Sequence, residues 1–111
     1  SIASRPLEPV STSFAYSFEW DPDKAVANRR KHGIGFEQAA TVFRDALAVS
    51  IYDADHSDTE ERWVTLGRAE NGQLLVFIHT YHTASPIEAM IRIISARPAT
   101  KHEQRQYEQG T

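Results

Sequence analysis

The chain is 111 residues long, room for a single domain with one modest core. It is 41% hydrophobic and 24% charged, with five Gly, five Pro and no Cys. Collagen-like, low-complexity and wholly disordered classes are thereby excluded, as are disulfides, thiolate metal sites and cysteine nucleophiles, while a net charge of −3 gives no global reason to expect nucleic acid.

Residues 1–13 (SIASRPLEPVSTS) are rich in Ser and Pro without apolar periodicity and read as a flexible arm, leaving residues 14–111 as the domain. No basic stretch followed by an apolar run opens the chain, and none approaches the roughly 18–20 apolar residues of a membrane span. The expectation is a cytoplasmic protein with no membrane partner. Phe14–Trp20 alternates aromatic with small or polar residues and predicts a first strand. Asp21-Pro22-Asp23 is a helix start, with Asp21 as N-cap and Pro22 in the first turn, and the helix runs to His32 and stops at Gly33. Lys24, Arg29, Arg30 and Lys31 lie along it with no acid among them. A second helix begins near Phe36, since Phe36, Ala39, Ala40 and Phe43 keep helical spacing.

Four strands are expected next, at Leu47–Tyr52, Arg62–Ala69, Leu74–Thr83 and Ile87–Ala96. Between the first two lies an acidic stretch, which the sequence presents as a solvated loop. It lacks the Gly and downstream Glu of an EF-hand, so no metal is expected there. Asn71-Gly72 marks a hairpin between the second and third. The polar tail, Thr100–Gln109, is compatible with a helix, and four basic residues from Arg92 to Arg105 (Arg92, Arg97, Lys101, Arg105) face only Glu103. This order predicts an α+β domain: a mostly antiparallel four- or five-stranded sheet, two N-terminal helices packed together on one face, and a C-terminal helix.

Several segments together resemble one family. They are Phe18-Glu19-Trp20-Asp21-Pro22, Asn28 to Ala39 (NRRKHGIGFEQA), Asp53 to Arg62 (DADHSDTEER), Leu66-Gly67, and Arg92 to Arg97 (RIISAR) followed by Glu103 and Tyr107. In this order and spacing, over roughly Phe18 to Glu108, the chain is similar to the BrnT toxins of bacterial type II toxin–antitoxin systems. The resemblance implies a RelE-like ribonuclease fold, cleavage of mRNA that halts translation, and neutralisation by a BrnA-like antitoxin. Such an antitoxin carries a ribbon-helix-helix domain, so operator DNA is met only through the complex, as a homodimer or a toxin–antitoxin heterotetramer. The arm before Phe14 and the segment His79–Pro86 depart from the pattern.

Cleavage of RNA without a metal requires activation of a 2′-hydroxyl, stabilisation of the phosphorane and protonation of the leaving 5′-oxygen. Histidine suits the proton transfers and arginine the phosphate. His32 reads either as a helix-ending cation at the negative end of the dipole or, with Lys31 beside it, as a proton-transfer group next to a phosphate partner. Arg62, at the start of a strand, is an edge ion pair or a phosphate contact. Arg92 sits between Ile91 and Ile93 and requires solvent, a partner or a site, because burying it unpaired is very costly. The resemblance favours the functional reading of His32 and Arg62, so catalytic roles are assigned to His32, Arg62 and Arg92, and contacts to RNA or phosphate to Lys31, Arg97 and Tyr107.

Strand alternation puts Arg92 and Arg97 on opposite faces unless a bulge intervenes or the strand ends early. Tyr107, one turn from Glu103, is alternatively a docking residue. Trp20, Phe36, Phe43 and Trp63 are assigned to the core. His79 and His82, three apart in a strand, face opposite sides and make a poor metal pair. No cofactor is expected. An inactive co-repressor of the same fold, and an unrelated scaffold with structural charge clusters, are the competing readings.

Overall fold

A computed structural model describes residues 15–110, so the arm and Phe14 lie outside the described residues. The elements are β1 (Ala15–Glu19), α1 (Pro22–His32), α2 (Phe36–Ala40) continued by a 3₁₀ turn (Thr41–Arg44), β2 (Val49–Tyr52), a second 3₁₀ turn (Ala54–His56), β3 (Arg62–Arg68), β4 (Leu74–Thr80), β5 (His82–Ser85), β6 (Glu88–Pro98) and α3 (Lys101–Gln109).

Local chemistry explains the helix ends. The Asp21 carboxylate accepts the Asp23 N–H at 2.8 Å, and Gly33 ends α1 at φ 73°, where its N–H returns to the Arg29 carbonyl. Thr100 and Glu103 form a reciprocal capping box that starts α3. The predicted β3–β4 hairpin is present. Its loop turns through Ala69–Gly72, with Gly72 at φ 90° and its N–H donated to the Ala69 carbonyl.

The six strands run in the order β1-β6-β4-β3-β2, with β5 also paired to β6. Four of the five strand pairings are antiparallel, as expected, while the six strands exceed the expected four or five. The expected strand Leu74–Thr83 is divided at Tyr81 into β4 and β5, and β1 pairs with β6 in parallel, Phe18 beside Ile91. The sheet is mixed. Asn28 of α1 ties that helix to β6, bonding the N–H and carbonyl of Ala96 where β1 no longer covers the strand.

The core forms between one sheet face and the chain from Ile34 to Phe43. Ile34, Phe36, Ala39 and Val42 pack with Leu75 and Phe77 of β4 and Ile91, Ile93 and Ala96 of β6. Phe43 meets Phe18, Phe77 and His79 with ring centroids 5.2–5.6 Å apart. The opposite face carries Arg62, Val64, Leu66 and Arg68 of β3 beside Thr80, Ile78, Val76 and Leu74 of β4. α3 covers one end of it: Arg97 grips Glu103 in a two-pronged pair, and the Arg68 guanidinium lies 5.3 Å from the Tyr107 ring centre. The remainder of that face is open, with Ile51 of the edge strand 65% exposed.

Candidate active site

A single irregularity organises the open face. Ile78 pairs with Ser95, but the next residue, His79, pairs with Ile93, so Ile94 is an extra residue in β6. This bulge reverses the alternation beyond it. Arg92 and Arg97, which strict alternation would separate, therefore share the open face. Val76, the partner of Arg97, and Thr80, which bonds Arg92, are four residues apart on β4, so the two arginines stand about 13 Å apart along the sheet.

Arg92 is the centre of a polar constellation. Its backbone N–H donates to the Thr80 hydroxyl at 3.1 Å, and Thr80 stands directly opposite Arg62 on the other flank of β4. Arg62, Thr80 and Arg92 thus lie in one line across three adjacent strands. Two strand spacings, about 10 Å, separate the arginine backbones, a span two guanidinium side chains can close around one phosphate. The Arg92 guanidinium forms an ion pair with Glu60, both side chains somewhat over one-third exposed. Glu19 of β1 pairs beside Arg92, and His82 of β5 pairs with Met90 on the same face. Glu19, Glu60, Thr80, His82, Met90 and Arg92 line a cleft of about 520 Å³, and Arg62 is not among its lining residues.

The remaining candidates are placed differently. His32 ends α1, half-buried, and among the described residues no hydrogen bond or ion pair joins it to Arg62 or Arg92. Lys31 is exposed in the same last turn, where its charge complements the helix dipole. Arg97 is committed to Glu103, whose hydrogen bonds raise the guanidinium further above its ordinary range. In return Arg97 holds the Glu103 carboxyl at about 2. Tyr107 is 6% exposed and donates its hydroxyl to Asp45 at 2.7 Å, so its ring docks α3. Phe36 is in the core as expected, whereas Trp63 is only half-buried and stacks edge-on with Tyr52 at 5.2 Å.

Neither His82, weighed only as half of a metal pair, nor Glu60 was assigned to this site from the sequence. They reach Arg92 through strand register and through the return of an acidic loop, neither of which leaves a local signature. His79 and His82 do face opposite sides: the first is 2% exposed in the interior, the second exposed. Among the described residues no group of three or more His, Cys, Asp or Glu is arranged to hold a metal ion. No described helix is long and apolar enough to cross a membrane.

The profile of the family described as the ribonuclease toxin BrnT of type II toxin–antitoxin systems matches residues 20–103. The chain belongs to the BrnT family. The solved structures include a match to the Brucella abortus ribonuclease toxin BrnT, at 19% identity and a TM-score of 0.54, covering 78% of this chain and all of that one. At that identity the likeness establishes a shared fold. No curated protein matches. Membership in the BrnT family makes this chain a ribonuclease toxin with an antitoxin partner, and the match spans α1, the acidic loop, β6 and the start of α3.

Proposed function

We propose that the protein is a metal-independent endoribonuclease of RelE-like type that cleaves mRNA and so halts translation, with its reaction centred on Arg92. The observation that carries this reading is the alignment of Arg62, Thr80 and Arg92 across the open face, beside an accessible cleft. A phosphate entering there displaces Glu60 from Arg92 and gains a planar, permanently charged fork that stabilises the phosphorane. The 2′-hydroxyl attacks the adjacent phosphorus, its proton leaves to a base, the P–O5′ bond breaks and the 5′-oxygen receives a proton. The products are a 2′,3′-cyclic phosphate and a free 5′-hydroxyl.

His82 is the proton-transfer group the geometry favours, because it shares the Arg92 cleft. His32 with Lys31 is the alternative pair from the family motif, and Arg97 is a second phosphate contact only if RNA displaces Glu103. The antitoxin is a BrnA-like ribbon-helix-helix protein that masks the arginines and binds operator DNA as part of the complex.

Expression alone and together with such an antitoxin tests the reading. Arrested growth and fragmented mRNA, both relieved by the antitoxin, are expected. An intact transcript pool with normal growth overturns it and leaves the co-repressor reading. His82→Ala and His32→Ala, assayed side by side, decide which histidine moves the proton.

A further inference from the structure

On the helix-covered face, beyond the 3₁₀ turn, lies a second cleft of about 390 Å³. Phe43, Trp63, Tyr81 and Tyr16 contribute its aromatic walls, and Ser50, Thr65 and His79 line it from the sheet. It shares Glu61 and Tyr81 with the Arg92 cleft, so the two meet where the β3–β4 pairing ends.

The polar groups of this second cleft have a fixed direction, set by His79. The Nδ1 atom of His79 lies 2.9 Å from the Thr80 carbonyl, which can only accept, so Nδ1 carries the proton. Burial holds the ring below the ordinary imidazole range despite that bond, so Nε2 is an acceptor. It accepts a hydrogen bond from the Thr65 hydroxyl at 2.6 Å. Thr65 then has only lone pairs left, and Ser50 must donate to it at 2.8 Å. Every proton in the chain points inward. The Ser50 oxygen offers the cleft nothing but lone pairs.

The two carboxylates lining the cleft add to this character. Asp45 already accepts from the Leu47 and Arg68 N–H groups and the Tyr107 hydroxyl, so it supplies charge. Glu61 accepts the Trp63 indole N–H at 3.1 Å and keeps further lone pairs. The cleft is flat-walled, rich in acceptors and negatively charged. It repels phosphate and suits a planar ring with neighbouring N–H donors on one edge.

We propose that this cleft is a base-recognition pocket that takes a guanine of the RNA substrate, next to the phosphate held by Arg92. Guanine is the common base whose N1–H and N2–H lie side by side, the pattern a carboxylate accepts in two-pronged fashion. The aromatic walls stack its faces. Tyr81, kept protonated by burial, Tyr16 and Glu61, brings a hydroxyl donor to the wall for the O6 atom. The inference rests on the ribonuclease reading.

The test is to sequence the ends produced when the protein cuts a random RNA pool. Cut sites enriched for guanine at one fixed position beside the broken bond are expected. Replacing that guanine by inosine, which lacks the N2 amino group but keeps N1–H, lowers the rate about 10- to 100-fold, the worth of one hydrogen bond to a charged acceptor. Glu61→Gln and Ser50→Ala, each keeping the wild-type unfolding midpoint, should bring the guanine-to-inosine ratio toward one. Cuts with no base enriched, enrichment of another base, or a ratio untouched by both substitutions overturns the assignment. If the wild-type protein makes no cuts, the ribonuclease reading itself fails. The pocket is then judged by titrating free guanosine, with adenosine as control, against the Trp63 and Tyr81 resonances. Shifts with guanosine alone uphold it, and no shift ends it.

Discussion

Replacing Arg92 by alanine separates activity from stability, and both magnitudes follow from its surroundings. The side chains of Arg92 and Glu60 are 38% and 37% exposed, so their attraction is screened and worth at most about 1 kcal/mol. The bond to the Thr80 hydroxyl comes from the Arg92 backbone and survives the substitution. A loss of about 1 kcal/mol lowers the melting temperature of a domain near this size by roughly 4–8 °C at most. The rate, in contrast, should fall by about 10²–10³, the loss that follows deletion of one oxyanion donor. Arg92→Lys should recover little of it, because an ammonium cannot present the guanidinium fork. Initial rates on an end-labelled mRNA, read beside thermal unfolding and antitoxin binding, give the three quantities needed. A folded Arg92→Ala protein that cuts within about threefold of wild type would place the phosphorane elsewhere, and the reasoning from the open face would fail with it.

Two further outcomes concern the framework of the site. Asn28 is 7% exposed and makes three hydrogen bonds, two to Ala96 and one to Ile34, so Asn28→Ala should cost about 3 kcal/mol at roughly 1 kcal/mol per bond, measured as a lower urea midpoint with an unchanged slope. Glu103 is held at about 2 against an ordinary 4.5, so its contribution is present above pH 4.5 and disappears as pH falls toward about 2. Because Arg97 is 41% exposed, screening limits that contribution to about 1 kcal/mol, and the stability difference between wild type and Glu103→Gln should close over this window. A difference that is constant with pH would show that the pair does not couple to folding.

The parts of this molecule that could be read from the sequence are those whose physics is local. Asp21-Pro22 and Gly33 bound α1 because capping depends on a few adjacent dihedral angles and one side-chain bond. Arg92 drew attention because a charge between two isoleucines has no cheap interior place, and Glu60 and the cleft supply its outlet. Beyond the β3–β4 hairpin, strand pairing was not legible, since the parallel union of β1 with β6 joins residues some seventy positions apart and nothing near Phe18 specifies Ile91. The bulge at Ile94 was equally hidden, although a bulge was the stated condition for Arg92 and Arg97 to share a face. Tyr107 illustrates the converse: its helical spacing from Glu103 put it on the docking side of α3, and burial with a bond to Asp45 accounts for it without RNA.

The segregated charges acquire a specific meaning in the folded chain. Arg92 is paired with Glu60 and Arg97 with Glu103, so the principal cations of the open face are already answered by carboxylates. On the proposed reading, RNA engages this surface by exchange, a phosphate replacing a carboxylate, rather than by condensing on a broad basic patch. Two phosphate contacts, at Arg92 and Arg62, predict a slope of log affinity against log salt of about −1.4, at roughly −0.7 per contact for a single strand. Removing the competitor should then help binding. Glu60→Gln is expected to tighten RNA by up to about fivefold, the equivalent of an exposed pair worth at most about 1 kcal/mol, while leaving the salt slope unchanged. Fluorescence anisotropy with a short labelled RNA over a series of salt concentrations measures both quantities. A much steeper slope would reveal an extended electrostatic footprint, and a weaker complex with Glu60→Gln would mean that the carboxylate positions Arg92 for the phosphate instead of competing with it.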